Sequence, residues 1–193
     1  MQVLLATENL GKLKEFQELF GERITCLSAA GKPPLQIVED GETYYENALK
    51  KAMGFYKAFG VPVLSDDSGL EVDALKGAPG VFSARFGGDV AWPDRWRLLH
   101  QKLAPFPKEA WQARFRCVLC YYDGTKPPVF FEGVAEGRID EARGEKGFGY
   151  DPIFHSADLK KSFGEASAAE KHRYSHRAVA AREFLAWITR PQA

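Results

Sequence analysis

Three short segments of this chain concentrate polar and charged residues that a folded core does not require. Thr7-Glu8-Asn9-Leu10-Gly11-Lys12 follows the apolar run Val3–Ala6 and precedes a helical pattern. Backbone N–H groups at a helix N-terminus attract anions, and ligands of open α/β sheets collect at strand carboxyl ends. Asn9 adds a side-chain amide and Lys12 a point charge, a set suited to phosphate; a capped helix with a solvated lysine is the competing reading. It is not a Walker A loop, because GxxxxGK[ST] is absent. Ser65-Asp66-Asp67-Ser68-Gly69 ends a second apolar run, with Glu39, Asp40, Glu42 and Glu46 upstream. Two adjacent carboxylates are costly unless cations or donors face them. A few hard oxygen ligands suit Mg²⁺, which keeps several waters and shares substrate phosphates; a solvated acidic turn would read the same way. The adjacent acids do not fit the Asp-x-Asp of a haloacid-dehalogenase-type phosphatase.

The third segment is Lys171-His172-Arg173-Tyr174-Ser175-His176-Arg177. His172 and His176 have the i, i+4 spacing of a zinc pair. Their three cationic neighbours would repel a metal, so an anion or a base edge is the better ligand. Upstream, Gly147-Phe148-Gly149-Tyr150-Asp151-Pro152 sets an aromatic ring between glycines, a platform on which a base could stack; a structural turn with Phe148 buried is the plain alternative. An acidic region, a cationic one, a helix terminus and an aromatic platform together suit a magnesium–nucleoside triphosphate. The residues alone name neither the base nor the bond cut.

The elements that must position these groups follow from periodicity. Val3–Ala6 reads as a buried strand, Lys12–Phe20 as a helix with Leu13, Phe16, Leu19 and Phe20 on one face, and Ile24–Ser28 as the next strand. That β–α–β start predicts a mixed or parallel sheet. Thr43-x-x-Glu46 is a capping box opening a helix that runs to Gly60, with Tyr45, Ala48, Leu49, Ala52, Phe55, Tyr56 and Phe59 at helical spacing. Val61–Ser65 is expected as a strand. A Gly/Pro-rich stretch follows, Gly77 to Gly88, and then a helix over Pro93–Leu103. Ala110–Tyr122 and Pro128–Ile139 read as long strands turned at Asp123-Gly124. Gly144–Asp151 is a glycine-rich loop, Ser167-x-x-Glu170 is a second capping box on a short helix, and Tyr174–Ile188 closes as a helix.

With 193 residues, 45% hydrophobic and 27% charged, the chain suits one globular domain, or one domain with two lobes. Lys+Arg and Asp+Glu are both 26, a balance unlike a dedicated nucleic-acid binder. No apolar run is long enough to span a membrane, and the N-terminus lacks the parts of a signal peptide. Three cysteines fit a reducing compartment. Cys117-x-x-Cys120 sits in a strand pattern, where positions three apart face opposite ways, so it is read as structural and not as a metal or redox pair.

These motifs, in order, resemble the inosine triphosphate pyrophosphatase family, also called XTP/dITP diphosphatases. The resemblance rests on Ala6-Thr7-x-Asn9-x-Gly11-Lys12-x-x-Glu15, on Ser65-Asp66-Asp67-Ser68-Gly69-Leu70 continuing through Gly77-Ala78-Pro79-Gly80-Val81 to Ser83-Ala84-Arg85-Phe86, on Gly147–Phe154 and on Ser175-His176-Arg177. It runs from Val3 to about Leu185. Glu8 stands where many relatives carry Gly, Ser or Asn. The resemblance implies an α/β, elongated, two-lobed mixed-sheet fold flanked by helices, with the active site in the cleft between lobes, and a single nucleotide pyrophosphatase domain over residues 1–193. It implies hydrolysis of ITP, dITP and XTP to the monophosphate and pyrophosphate, keeping such nucleotides out of DNA and RNA. It also implies Mg²⁺, a homodimer and a cytoplasmic location. Residue by residue, Asp67 becomes the proton acceptor and a metal ligand, with Glu39 preferred to Glu42 as the second. Thr7, Glu8, Asn9, Leu10, Gly11, Lys12 and Lys171 hold the nucleotide, Ser68 contacts it, Phe148, Gly149, Tyr150 and Asp151 shape the base pocket, and His176 and Arg177 meet the purine edge. Two other readings remain: a pyrophosphatase for modified pyrimidine nucleotides, and a nucleotide-binding module without turnover, to which paired carboxylates facing phosphates would bring little.

Overall fold

The computed structural model describes residues 1–28, 35 and 37–190. Among the described residues six strands form one sheet in the order β2-β1-β3-β4-β5-β6. They are β1 (Gln2–Ala6), β2 (Thr25–Ser28), β3 (Val63–Val72), β4 (Gln112–Tyr122), β5 (Val129–Ile139) and β6 (Phe154–Ser156). The helices are α1 (Leu10–Phe20), α2 (Tyr44–Phe59), α3 (Trp92–Leu103), α4 (Ala168–Tyr174) and α5 (His176–Ile188). β1 pairs in parallel with β2 and β3, as the β–α–β opening predicts, and β5 pairs antiparallel with β6.

The chain divides into two compact units. The first comprises Met1–Asp67, Cys117–Gly133 and Arg177–Ala193, and the second Ser68–Arg116 and Val134–His176. In the first unit one apolar core joins Phe16 and Phe20 of α1, Phe184 and Leu185 of α5, and the strand residues Val3, Leu5, Leu64, Leu119 and Phe131. α2 meets the alternate strand positions. Ser65 Oγ donates to the Ala48 carbonyl, and Tyr45 packs on Phe130 and donates to Glu132. This division follows from the pleat, which turns successive side chains to opposite faces. Both expected capping boxes form, Thr43 with Glu46 and Ser167 with Glu170, each closing orphan N–H groups at a helix start.

In the second unit Leu99 and Leu103 of α3 bury against Leu70, Val72, Ala113, Phe115, Ala135 and Phe154. The alternate positions of the same strands carry charge: Arg114 binds Glu136 and Asp73, and Arg116 binds Glu71. The two cysteines of Cys117-x-x-Cys120 are free and buried, and burial pushes both thiols up, Cys120 to about 12. Such thiols are inert as nucleophiles and metal ligands, in keeping with a structural role.

One expectation is corrected. The strand expected to end at Ser65 continues through Asp66, Asp67, Ser68 and Gly69 to Val72. Acidic residues, Ser and Gly are poor strand formers, but here each carboxylate gains buried partners that outweigh that preference. β6 was not expected at all; three residues are too few to show a period.

Phe184 is fully buried and touches the rings of Phe20, Tyr121, Phe131 and Trp187. Phe184→Ala should cost about 3–5 kcal/mol in denaturant-induced unfolding; a loss under about 1 kcal/mol would show that this core is not cooperative with the fold.

Candidate functional site

In the first unit the adjacent carboxylates of β3 look to opposite faces and find different partners. Asp66 accepts a hydrogen bond from Lys12 Nζ at 2.8 Å, and the Arg177 guanidinium stands 3.7 Å away. Arg177 is itself paired with Glu15 of α1. On the other face Asp67 accepts from Asn47 Nδ2 at 3.1 Å and lies 3.7 Å from Lys51 Nζ. Asn47 is oriented by the Gly41 N–H, which donates to its Oδ1 at 2.8 Å. Lys51 also donates to Glu39 at 2.8 Å.

These surroundings split the two acids. Burial alone would raise Asp66, but Lys12, Arg177 and Lys51 overcome it and hold the carboxyl well below the usual range. For Asp67 burial prevails over the attraction of Lys51 and Lys12 and the Asn47 hydrogen bond, and pushes it up to about 6. Asp66 is thus a fixed anion and Asp67 a carboxylate able to take up a proton near neutral pH, the division of labour expected of a structural counter-ion beside a general base.

Thr7–Lys12 lies, as the pattern implies, between the end of β1 and the first turn of α1. Asn9 caps that helix through the Lys12 N–H, and the Asn9 N–H donates to Thr7 Oγ1. Glu8 and Leu10 are exposed, and Gly11 is half-buried. Among the described residues no group of three or more His, Cys, Asp or Glu gathers as a ready metal nest. The fit for a cation rests instead on Glu39 and Asp67, whose carboxylates share the Lys51 ammonium. Two hard oxygen donors suit a divalent ion that keeps most of its waters and takes the rest of its shell from phosphate. Glu42, the alternative ligand, uses its backbone N–H in the α2 capping box, donating to Glu46.

The second unit holds the other expected residues. Ser68 follows Asp67 in β3 and is half-buried. Phe148 is half-buried, and its N–H donates to Asp151 Oδ2 at 2.7 Å. Lys171 Nζ donates to the same oxygen at 2.6 Å and stands 5.1 Å from the centre of the Phe148 ring. Gly147 has φ +74°, and a β carbon there would come within 2.1 Å of Asp151 Oδ2. Tyr150 is buried, and its hydroxyl donates to the Ser83 carbonyl. His176 is buried and stacks on Phe115, 4.7 Å between ring centres.

The sequence reading assigned nothing to Asn47 and Lys51. Their signal was present: the buried face of α2 is Tyr44, Asn47, Ala48, Lys51, Ala52 and Phe55, an i, i+3, i+4, i+7 stripe with two polar residues at core positions. Choosing the stripe by hydrophobicity alone rotates it onto Tyr45 and Leu49 and loses both. Glu15 appeared only as a motif letter; its role shows once α1 and α5 are packed together.

A sequence model described as the Ham1 family matches residues 3–187. The chain belongs to the Ham1 family. A Thermus thermophilus protein named dITP/XTP pyrophosphatase is 46% identical over 189 residues, covering 96% of this chain and 90% of its own. One of the same name from Desulfotalea psychrophila is 44% identical over 189 residues, covering 95% of this chain and 83% of its own. Among solved structures, a HAM1 protein from Coxiella burnetii superposes with a TM-score of 0.87 at 36% identity, over 98% of each chain. No helix among the described residues is long and apolar enough to cross a membrane.

A folded-state value near 6 for Asp67 has a consequence for stability. A carboxyl raised above its unfolded value of about 4 binds its proton more tightly when folded, so its contribution falls as pH rises from about 4 to 6 and the full penalty remains above. Asp67→Asn carries no such penalty. At pH 8 the variant should match or exceed wild-type stability, by up to roughly 1–3 kcal/mol, with the difference gone by about pH 4. Thermal unfolding across that range checks this, and a variant clearly less stable at pH 8 contradicts it.

Proposed function

We propose that this protein hydrolyses non-standard purine nucleoside triphosphates, ITP, dITP and XTP, to the monophosphate and pyrophosphate. The observation that carries the reading is the split carboxylate pair: a fixed anion at Asp66 beside a proton acceptor at Asp67 pushed up to about 6, both within reach of cations. The names of the relatives support it, as do the motifs spread over residues 3–187.

Triphosphate hydrolysis asks the protein mainly to position groups and neutralise charge. Asp67 orients a water and takes its proton as the oxygen attacks the α-phosphorus; the bond from that phosphorus to the bridging oxygen breaks, and pyrophosphate leaves. Asn47 holds the Asp67 carboxylate in place for this, itself fixed by the Gly41 N–H. Lys12 and Lys171 offset phosphate charge, and the first turn of α1 adds its N–H groups. Asp67 and Glu39 would hold Mg²⁺, which when bound neutralises phosphate oxygens and lowers the pKa of bound water. Phe148 supplies a stacking face, while Gly149, Tyr150 and Asp151 shape its surroundings and Ser68 touches substrate. His176 and Arg177 offer donors to the 6-keto oxygen, which adenine's amino group would replace with another donor. The reading includes a homodimer and a cytoplasmic setting, the latter in keeping with free, buried Cys117 and Cys120.

With Mg²⁺ and ITP, the products should be IMP and pyrophosphate; IDP and orthophosphate as first products would sink the assignment. Asp67→Asn should lower kcat by roughly 10²–10⁴ while folding persists. Arg177 permits a sharper test, because its guanidinium is engaged by Glu15 and Asp66. If it reads the base, Arg177→Ala loses more kcat/KM on ITP than on ATP. Equal proportional losses with a lowered Tm would assign it to the Asp66 anion instead.

A further inference from the structure

Phe148 can present a constant face to a base only if the glycine joints around it are immobilised. Gly147 and Gly149 both adopt positive φ, +74° and +67°, a region open mainly to glycine. On one side the ring is held through its own N–H, bound by Asp151, which Lys171 in turn grips. The Phe148 carbonyl accepts from the Asp151 N–H, and the Tyr150 carbonyl accepts from Ile153 and Phe154. Between them the Gly149 carbonyl points at a side chain: the indole Nε1–H of Trp96 donates to it at 3.0 Å.

Trp96 is half of a two-residue grip on this loop. Trp92 stands one helical turn earlier on the same face of α3. A β carbon on Gly149 would lie 3.6 Å from the Trp92 ring, and that ring meets Tyr150 edge-on with centres 5.2 Å apart. α3 is itself pinned at this end. Arg95 stacks on Trp92 at 4.6 Å and donates to the Phe86 and Gly88 carbonyls at 2.7 and 2.8 Å. The indole hydrogen bond therefore runs from a fixed helix to the glycine joint after Phe148.

We propose that Trp96 is a positioning residue for base recognition: its N–H to the Gly149 carbonyl fixes the pivot of the Phe148 ring without touching the nucleotide. The proposal rests on the reading of Phe148 as a base platform. It predicts that loss of this donor weakens binding of the base-bearing substrate and leaves the phosphate chemistry intact.

The test is a mutant cycle over Trp96→Phe and Phe148→Ala, assayed with ITP and with ribose 5-triphosphate, which has no base. Trp96→Phe should raise KM for ITP roughly 3- to 10-fold, the worth of one neutral hydrogen bond, with kcat within about twofold. Its kcat/KM on ribose 5-triphosphate should be unchanged. In the Phe148→Ala background it should add no further loss, because its effect passes through that ring. If Trp96→Phe folds poorly, Trp96→Gln and Trp96→Leu replace it; the glutamine, which keeps an N–H donor, should hold the ITP KM closer to wild type. Equal losses on both substrates, or a loss that multiplies with Phe148→Ala, would overturn the role of Trp96 alone. Failure of the wild type to hydrolyse ITP would overturn the functional reading and this inference with it.

Discussion

The burial of two consecutive carboxylates in one strand is the constraint around which the first unit is arranged. Asp66 and Asp67 are both almost fully buried, and neither could be tolerated there as an unpaired charge. The pleat resolves the conflict by separating them. One faces α1 and α5, which supply Lys12 and Arg177; the other faces α2, which supplies Asn47 and Lys51. The charges on those helices are thus parts of a single electrostatic arrangement. Cations prevail over burial at Asp66 and burial prevails over cations at Asp67. One chemical type is held in two protonation regimes, the kind of separation that lets neighbouring acids take different roles.

The second unit faces a different demand. It holds a half-buried aromatic ring, Phe148, between two glycines at positive φ. Contacts fix the backbone on both sides of that ring: Asp151 accepts from its N–H, Lys171 grips Asp151, Trp96 donates to the Gly149 carbonyl and the Trp92 ring lies beside Gly149. Asp151 and Lys171 are buried as an ion pair, 2.6 Å apart. Removing either one alone would take from the other its buried ion-pair partner, a larger loss than the pair is worth in itself.

Much of this was legible in the sequence, for identifiable reasons. The two capping boxes, the apolar run of β1 and the parallel start of the sheet follow from local rules that tertiary structure did not override. The Thr7–Lys12 segment was placed correctly because a strand end and a helix start are both local signals. β3 was not, because Asp66 to Gly69 has the composition of a turn and becomes strand only when cations distant in sequence arrive. Arg177 and Glu15 are 162 residues apart, and no local pattern connects them. Asn47 and Lys51 could have been found by asking which polar residues occupy the buried register of an amphipathic helix. Trp96 could not, since its meaning depends on the Gly149 carbonyl of a distant loop.

The central claim is that the neighbouring acids of β3 are held in opposite protonation regimes by partners on opposite faces of the strand. Its most direct test is the titration of the side-chain carboxyl carbons of Asp66 and Asp67, followed by NMR in the folded, metal-free protein. The account predicts that Asp67 titrates near 6 while Asp66 stays ionised until well below the ordinary carboxylate range. Two overlapping titrations near the unperturbed value of about 4, or the reverse order, would contradict it.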